Sequence, residues 1–282
     1  MVGKLFKDFS LFSAVLILII LAGIFSILYV YASDSIHQFG FDFFTTKTWV
    51  PGEDDDGGVF GGLIPIVGTL LSTLIAMVLA VPIAMGIAIF LTEVAFPWLI
   101  KPVSLAIELL AAIPSIIYGM WGLFYFAPIV QELFGGSGVG LLTAGIVLAI
   151  MIIPFMSAIT KDAMNTVPGV LKESAYAMGA TKYEVIKDVV MPYSKTAIIG
   201  SVILALGRAL GETMAVAFLI GSIVTLPGLI TDPTTSIPVL LANNFAEAQD
   251  LELSSMYYLA LILFAVSFGI ISFAKFYFLR RK

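Results

Sequence analysis

The chain alternates between long apolar stretches and shorter polar segments. A membrane-spanning helix needs about 20 predominantly apolar residues, and six stretches meet that requirement. They predict spans at 9–33, 63–91, 103–130, 139–160, 196–220 and 256–276. The first has its apolar centre at Leu11–Ala32 and no small-residue cleavage site, so we expect an uncleaved anchor helix.

Composition narrows the class of protein. Of 282 residues, 60% are apolar and 12% are charged, whereas a soluble domain carries about 25% charged residues. A soluble enzyme, a disordered chain and a nucleic-acid binder with a basic surface are therefore excluded. There is no cysteine and one histidine, His37, so neither a thiolate metal site nor a catalytic triad is expected. These features predict an all-α, multi-pass membrane protein that is not an enzyme.

The distribution of charge predicts the orientation. Of the 14 Lys and Arg residues, all but Lys47 and Arg208 fall on the same side as the two termini. The opposite loops are acidic, as at Glu53–Asp56, so the positive-inside rule predicts that both termini are cytoplasmic. The acidic stretch Gly52–Gly58 lacks the spaced ligands of an EF-hand, and we expect a solvated loop there. We divide the chain into an anchor helix with its outer loop, 1–62, and a core, 63–279.

The polar segment 161–195 predicts a helical hairpin at the inner membrane surface. Pro168 suits the first turn of a helix that continues to Met178, and Gly179 suits its end. A capping box at Thr181–Glu184 then opens a second helix, which we expect to end before Pro192. Because the charges of the segment nearly cancel, a DNA-reading helix-turn-helix is disfavoured. The pattern alone leaves open whether the hairpin has a partner.

The same segment resembles the EAA loop of ABC importer permeases. Glu173-Ser-Ala175, Gly179 and Val189-Val-Met191-Pro192 keep the family spacing, with Ser174, Val189 and Met191 as departures. The resemblance implies a type I importer permease (MetI-like) fold, in which the first short helix docks on a cytoplasmic ATP-binding subunit. It also implies that Glu173, Ala175 and Gly179 are the coupling residues.

Two further stretches, 108–122 and 207–216, are similar to the permeases of phosphate importers. The Trp121-Gly122 pair and the ending at 212–216 resemble the PstC-type subunit rather than its PstA-type partner. The resemblance implies a prokaryotic plasma-membrane protein that binds no cofactor or nucleic acid. Its expected partners are membrane lipid, a PstA-type permease, two PstB-type subunits that carry ATP and Mg, and an extracytoplasmic PstS-type phosphate-binding protein.

Other assignments remain open at this stage. Permeases for sulfate, molybdate and phosphonate share the EAA loop. A secondary transporter driven by an ion gradient would also use intramembrane charges and broken helices, although it would leave the hairpin without a purpose. The chain has no Gly-x-x-x-x-Gly-Lys-Ser/Thr loop, so ATP would have to be hydrolysed on a separate chain.

Charges within the predicted spans are costly and need a partner or a cavity. Arg208 and Glu212 are four residues apart, which predicts that they share one helix face, with Gly207 and Gly211 as a close-packing surface beside them. They form either a structural ion pair that fixes helix register or an anion site in the translocation pathway, where the guanidinium binds two phosphate oxygens. Glu108 is either a second counter-charge to Arg208 or a residue near the cytoplasmic interface of the membrane.

Three prolines interrupt the apolar spans, at Pro82, Pro114 and Pro128. Each removes a backbone hydrogen bond, so a kink or a break is expected at each position. Ser115 directly follows Pro114, and we expect its hydroxyl to be a donor that lines the translocation pathway.

Overall fold

A computed structural model describes residues 2–51 and 58–279, and the side chains of residues 6–51 and 58–276. The helices of this part of the chain are α1 (Val2–Phe39), α2 (Leu63–Ile89), α3 (Pro97–Ala111), α4 (Ser115–Trp121), α5 (Ala127–Phe134), α6 (Leu141–Asn165), α7 (Gly169–Ala177), α8 (Lys182–Glu184), α9 (Met191–Leu210), α10 (Met214–Ala217), α11 (Ile237–Asn244) and α12 (Asp250–Leu279). A 3₁₀ turn at Gly40–Phe44 follows α1. Wider π-helical turns follow α2, α4 and α8, at Phe90–Val94, Gly122–Phe126 and Val185–Val190.

Six helical stretches of the described residues are long and apolar enough to cross a membrane. They are Phe6–Phe44, Leu63–Val94, Ser115–Phe134, Leu141–Asn165, Lys182–Leu210 and Asp250–Phe276. The predicted all-α membrane fold with six spans is confirmed. The cytoplasmic placement of both termini stays a prediction, and Arg280, Arg281 and Lys282, which contribute to it, lie outside the described residues.

The predicted third span, 103–130, was wrong at its beginning. Glu108 lies on α3, outside the span, because the helix stops before Pro114 and restarts at Ser115. Pro114 has an extended backbone with ψ of 138° and caps α4. The Tyr118 hydroxyl donates a hydrogen bond of 2.9 Å to the Leu110 carbonyl across the break. Pro114 therefore separates two helices, whereas Pro82 lies inside α2 and Pro128 in the first turn of α5.

The predicted fifth span, 196–220, was wrong at both ends. The span begins at Lys182 and runs through Pro192, so the hairpin helix does not end before that proline. In an α-helix the proline ring clashes with the carbonyl four residues back, but here the π-helical turn Val185–Val190 widens the helix at that position. At its other end the helix stops at Leu210, with Gly211 as its C-cap.

The chain divides into two compact units. The described part of Met1–Leu63 forms one unit with Leu241–Val266. In it the Ser35 and Ser255 hydroxyls lie 3.1 Å apart, and Trp49 donates to Glu252 at 3.2 Å. The segment after α1 is more ordered than the loop we predicted, since strand β1 (Trp49–Val50) pairs antiparallel with β2 (Val59–Phe60). Residues 52–57 of the acidic stretch lie outside the described residues, and the division at 62/63 stays a prediction.

The second unit comprises Ile64–Leu240 and the described residues from Ser267 onward. Helix α6 lies at its centre and packs against α3, α4, α9 and α10. Small side chains allow helices to approach closely in membranes, and fully buried alanines from three helices line the contacts: Ala76, Ala80 and Ala84 on α2, Ala144 on α6 and Ala205 on α9. A second buried cluster lies where the hairpin joins the spans and contains Ala88, Met164, Val167, Val185, Val190 and Ile198.

Candidate functional site

The depth of Arg208 in the membrane can be estimated from the way α6 packs against α9. The Thr160 and Ser201 hydroxyls lie 2.8 Å apart, and Arg208 lies against Phe155, so the two helices run antiparallel. Phe155 lies about 15 Å from the end of α6 at Asn165, taking 1.5 Å per residue. Because the hydrocarbon core is about 30 Å thick, Arg208 lies near half depth if that end of α6 is at the interface.

The immediate surroundings of Arg208 are aromatic. Its guanidinium carbon lies 5.1 Å from the centre of the Phe155 ring, a cation–π arrangement. Tyr118, a residue that sequence reasoning missed, belongs to the same buried cluster as Ala205 and Ala209, which lie close to Arg208 in α9. Arg208 is half-buried as a residue, and no carboxylate of the described residues lies within 4 Å of its guanidinium nitrogens. The hydrogen-bond donors of Arg208 are therefore available to a ligand.

The prediction that Arg208 and Glu212 share one helix face was wrong, and of the two alternatives the structural ion pair does not form. Because α9 stops at Leu210, Glu212 lies beyond the helix, and its carboxylate accepts a 3.2 Å hydrogen bond from the Ala215 amide at the start of α10. The predicted glycine surface forms in part. A Cβ on Gly207 would lie 3.2 Å from Ile271 of α12, whereas a Cβ on Gly211 would meet no neighbouring helix within 4 Å.

Glu108 and Ser115 lie on either side of the Pro114 break. The Glu108 carboxylate lies 3.6 Å from the Lys161 ammonium near the end of α6, and its side chain is 60% exposed. The exposure and the Lys161 partner favour the interfacial position of the two that the sequence left open, and the role of Glu108 stays a prediction. Ser115 is the first residue of α4 and is half-buried.

A cavity of about 270 Å³ lies beside the same break. It is lined by Ile113, Ile117, Tyr118, Trp121 and Ile150. Two polar side-chain groups occur in this lining, the Tyr118 hydroxyl, whose proton is donated to the Leu110 carbonyl, and the indole N–H of Trp121. The cavity therefore offers an anion only a neutral donor, and the positive charge that could bind an anion in this region belongs to Arg208.

The hairpin forms as predicted at its turn and its cap. Helix α7 ends before Gly179, whose φ of +89° is one that L side chains rarely adopt. The Glu184 carboxylate accepts from the Thr181 amide at 2.7 Å, and the Glu184 amide donates to the Thr181 hydroxyl at 3.4 Å. The two bonds close the capping box. The conformation of the hairpin is thus set locally, by a glycine and a cap.

The two sides of α7 differ in exposure. Glu173 is exposed, as are the apolar side chains of Val170 and Met178, the latter to 89%. Ala175 is half-buried and packs against the buried cluster that contains Val185 and Val190. The outward face of the hairpin is therefore apolar with a carboxylate, while Ala175 faces the remainder of the chain.

The described residues hold no group of three or more His, Cys, Asp or Glu side chains arranged to bind a metal ion. The charged residues described above instead fall into three sets. These are Arg208 beside Phe155, the Glu108–Lys161 pair, and the charged residues of the hairpin.

Comparison with known proteins assigns the chain to a family. Residues 57–282 match the model of the binding-protein-dependent transport system inner membrane component family. The phosphate transport system permease protein PstC of Pasteurella multocida is 46% identical, with 96% of this chain and 90% of the relative covered. The probable PstC of Methanocaldococcus jannaschii is 34% identical, with 98% and 93% covered.

Solved structures agree on the fold. A chain of an inward-facing MetNI methionine ABC transporter matches with a TM-score of 0.59 and 19% identity, covering 74% of this chain and 90% of that one. A chain of a bacterial alginate ABC transporter, in complex with a periplasmic protein that holds an alginate pentasaccharide, matches with a TM-score of 0.62 and 17% identity, covering 95% and 93%. At these identities the likeness concerns the fold alone, and it confirms the predicted importer-permease fold. The chain is thus a multi-pass protein of the prokaryotic plasma membrane and belongs to the family of binding-protein-dependent transport system inner membrane components.

Proposed function

We propose that this chain is the permease subunit of an ATP-driven importer of inorganic phosphate. The observation that carries the proposal is Arg208, a half-buried residue of the fifth span that lies against Phe155, with no carboxylate of the described residues within 4 Å of its guanidinium. An intramembrane charge of this kind usually faces a cavity or a transport route. The relatives named PstC supply the identity of the anion.

The guanidinium suits a phosphate that must bind and then leave. It presents planar, paired N–H donors that match two oxygens of one phosphate. Phe155 holds the positive group by its ring face and competes for none of those donors. Because Glu212 is engaged by the Ala215 amide, no internal carboxylate has to be displaced before the anion binds.

The partners follow from the same proposal. A homologous PstA-type permease would complete the pathway, and a PstS-type protein would deliver enclosed phosphate to outer loops whose carboxylates repel the free anion. Two PstB-type subunits would bind ATP and Mg and dock on the outward face of α7. That face offers Val170 and Met178 as apolar contacts and Glu173 to a basic partner residue.

The anion site is tested by uptake of labelled phosphate into liposomes that hold the reconstituted complex. Arg208→Lys keeps the charge and loses the two-point geometry, and Arg208→Gln removes the charge. A hydrogen bond to a charged group contributes about 1.5–3 kcal/mol, so uptake should fall about tenfold or more in Arg208→Lys and further in Arg208→Gln. Glu212→Gln serves as the matched control and should have the smaller effect, because its amide oxygen still accepts from Ala215.

Assembly is measured beside uptake, by co-purification with the ATP-binding subunit. The double variant Arg208→Gln/Glu212→Gln should assemble without transporting, and transport near the wild-type rate would refute the anion site. Competition by sulfate and molybdate distinguishes phosphate from other oxyanions. Uptake that persists without ATP under an ion gradient would favour a secondary transporter instead.

A further inference from the structure

A buried carboxylate at the end of the second span is not used by the function proposed above. Glu93 lies in the π-helical turn Phe90–Val94, and its side chain is only 7% exposed. Its Oε1 atom lies 2.5 Å from the ammonium of Lys172, whose side chain is 22% exposed. Lys172 belongs to α7, so the ion pair joins the hairpin to the end of α2.

The burial of this pair distinguishes it from the other ion pairs of the described residues. Lys161 pairs with Glu108 and Asp162, whose side chains are 60% and 75% exposed. Exposed pairs contribute little because water screens them. Removing one partner of a buried pair leaves an uncompensated charge, which is strongly unfavourable. Glu93 therefore requires Lys172 beside it.

Helix α7 has few other attachments. Of its nine residues only Lys172 and Ala175 are partly buried, and the others are exposed. Ala175 makes an apolar contact, which has no preferred direction, whereas the ion pair is directional. A force applied to the exposed face of α7 can therefore reach the end of α2 through the side chain of Lys172.

Helix α2, which ends beside Glu93, is suited to carry such a force. Helix α2 runs from Leu63 to Ile89 and is about 40 Å long at 1.5 Å per residue. Its alanines at 76, 80 and 84 pack in the core beside α6 and α9. Glu93 lies in a π-helical turn, a local irregularity that is frequent at functional sites. Within that turn, the Thr92 hydroxyl donates to the Ala88 carbonyl at 3.0 Å.

We propose that the Lys172–Glu93 ion pair is the mechanical link by which displacement of α7 reaches α2, so that both are positioning residues for transport. The inference rests on the proposed function, because the force on α7 is supplied by the ATP-binding subunits. The pair stays closed throughout the transport cycle and carries the hairpin and the end of the second span together.

The experiment uses the complete complex in liposomes and measures phosphate imported per ATP hydrolysed, together with the Tm of the complex. Glu93→Gln and Lys172→Met each break the pair and should lower that ratio about tenfold or more, with ATP hydrolysis retained. Asp162→Asn and Lys195→Met make the same chemical changes at exposed positions and should stay within about twofold of wild type. A lower Tm with an unchanged ratio would show that the pair is only structural and would overturn the proposal.

A double-cysteine variant tests the proposed link even if the single variants fail to assemble. The chain has no cysteine, so Glu93→Cys/Lys172→Cys introduces two unique thiols in place of the pair. The ratio should be low before treatment and should recover when a short bis-maleimide joins the thiols. Joined thiols with ATP hydrolysis but no import would refute a permanently closed link. If the wild-type complex itself imports no phosphate, the proposed function fails, and not the link.

Discussion

A substitution at Gly179, in the turn of the hairpin, should change only the free energy of the backbone conformation. Gly179 has φ of +89°, and a Cβ added there would meet nothing within 4 Å. Any substitution therefore acts through the backbone and not through a clash. An L residue in a left-handed conformation costs about 1–2 kcal/mol, and strain at such positions reaches about 3 kcal/mol. For the β-branched Gly179→Val we take about 2 kcal/mol, which lowers the equilibrium constant for forming the native turn about 30-fold.

The assay is the ATPase activity of the reconstituted complex, measured with and without phosphate-loaded binding protein. Gly179→Val should lose most of the stimulation while the protein remains inserted. Gly179→Asn should stay near wild type, because asparagine tolerates positive φ better than other L residues. Gly200→Ala is the matched control, since Gly200 lies in α9 with ordinary helical φ and open space around it. Full stimulation together with full uptake in Gly179→Val would remove the hairpin from the coupling mechanism.

Two further predictions concern the helix packing that supports the site. Gly68→Ala should lower the Tm of the complex, because its Cβ would lie within 2 Å of the Thr235 carbonyl oxygen, whereas Gly86→Ala, with open space, should not; equal Tm values would contradict the close contact. A double-mutant cycle with Thr160→Val and Ser201→Ala should give a coupling of about 0.5–1.5 kcal/mol in unfolding free energy, and a coupling of zero would show that the two hydroxyls act independently.

The features predicted well from sequence are those that depend on local patterns. Six spans follow from the length of apolar stretches, since a helix must satisfy its backbone within the bilayer. The capping box at Thr181 and the turn at Gly179 follow from side-chain chemistry within a few residues. Predicting the spans, the capping box and the turn required no knowledge of neighbouring helices.

The failures concern helix geometry and distant partners, which the residue pattern does not specify. The pattern treats Pro192 as a helix end, but a π-helical turn before it lets the span continue. The four-residue spacing of Arg208 and Glu212 predicts a pair only if the helix continues, and it stops at Leu210. The Lys172–Glu93 pair joins residues 79 positions apart, and its only local signal is a carboxylate directly after an apolar stretch.

The hydrogen bond between Tyr118 and Leu110 changes how the interruption at Pro114 behaves. Without a hydrogen bond across such an interruption, the two helices could move independently. Here the phenol links the last turn of α3 to the first turn of α4, so this bond opposes independent movement of the two helices. Helix α3 carries Glu108, which pairs with Lys161 on α6, and α4 packs against α10, directly after the Arg208 segment. A displacement of one helix that leaves the bond intact would therefore carry the other helix with it.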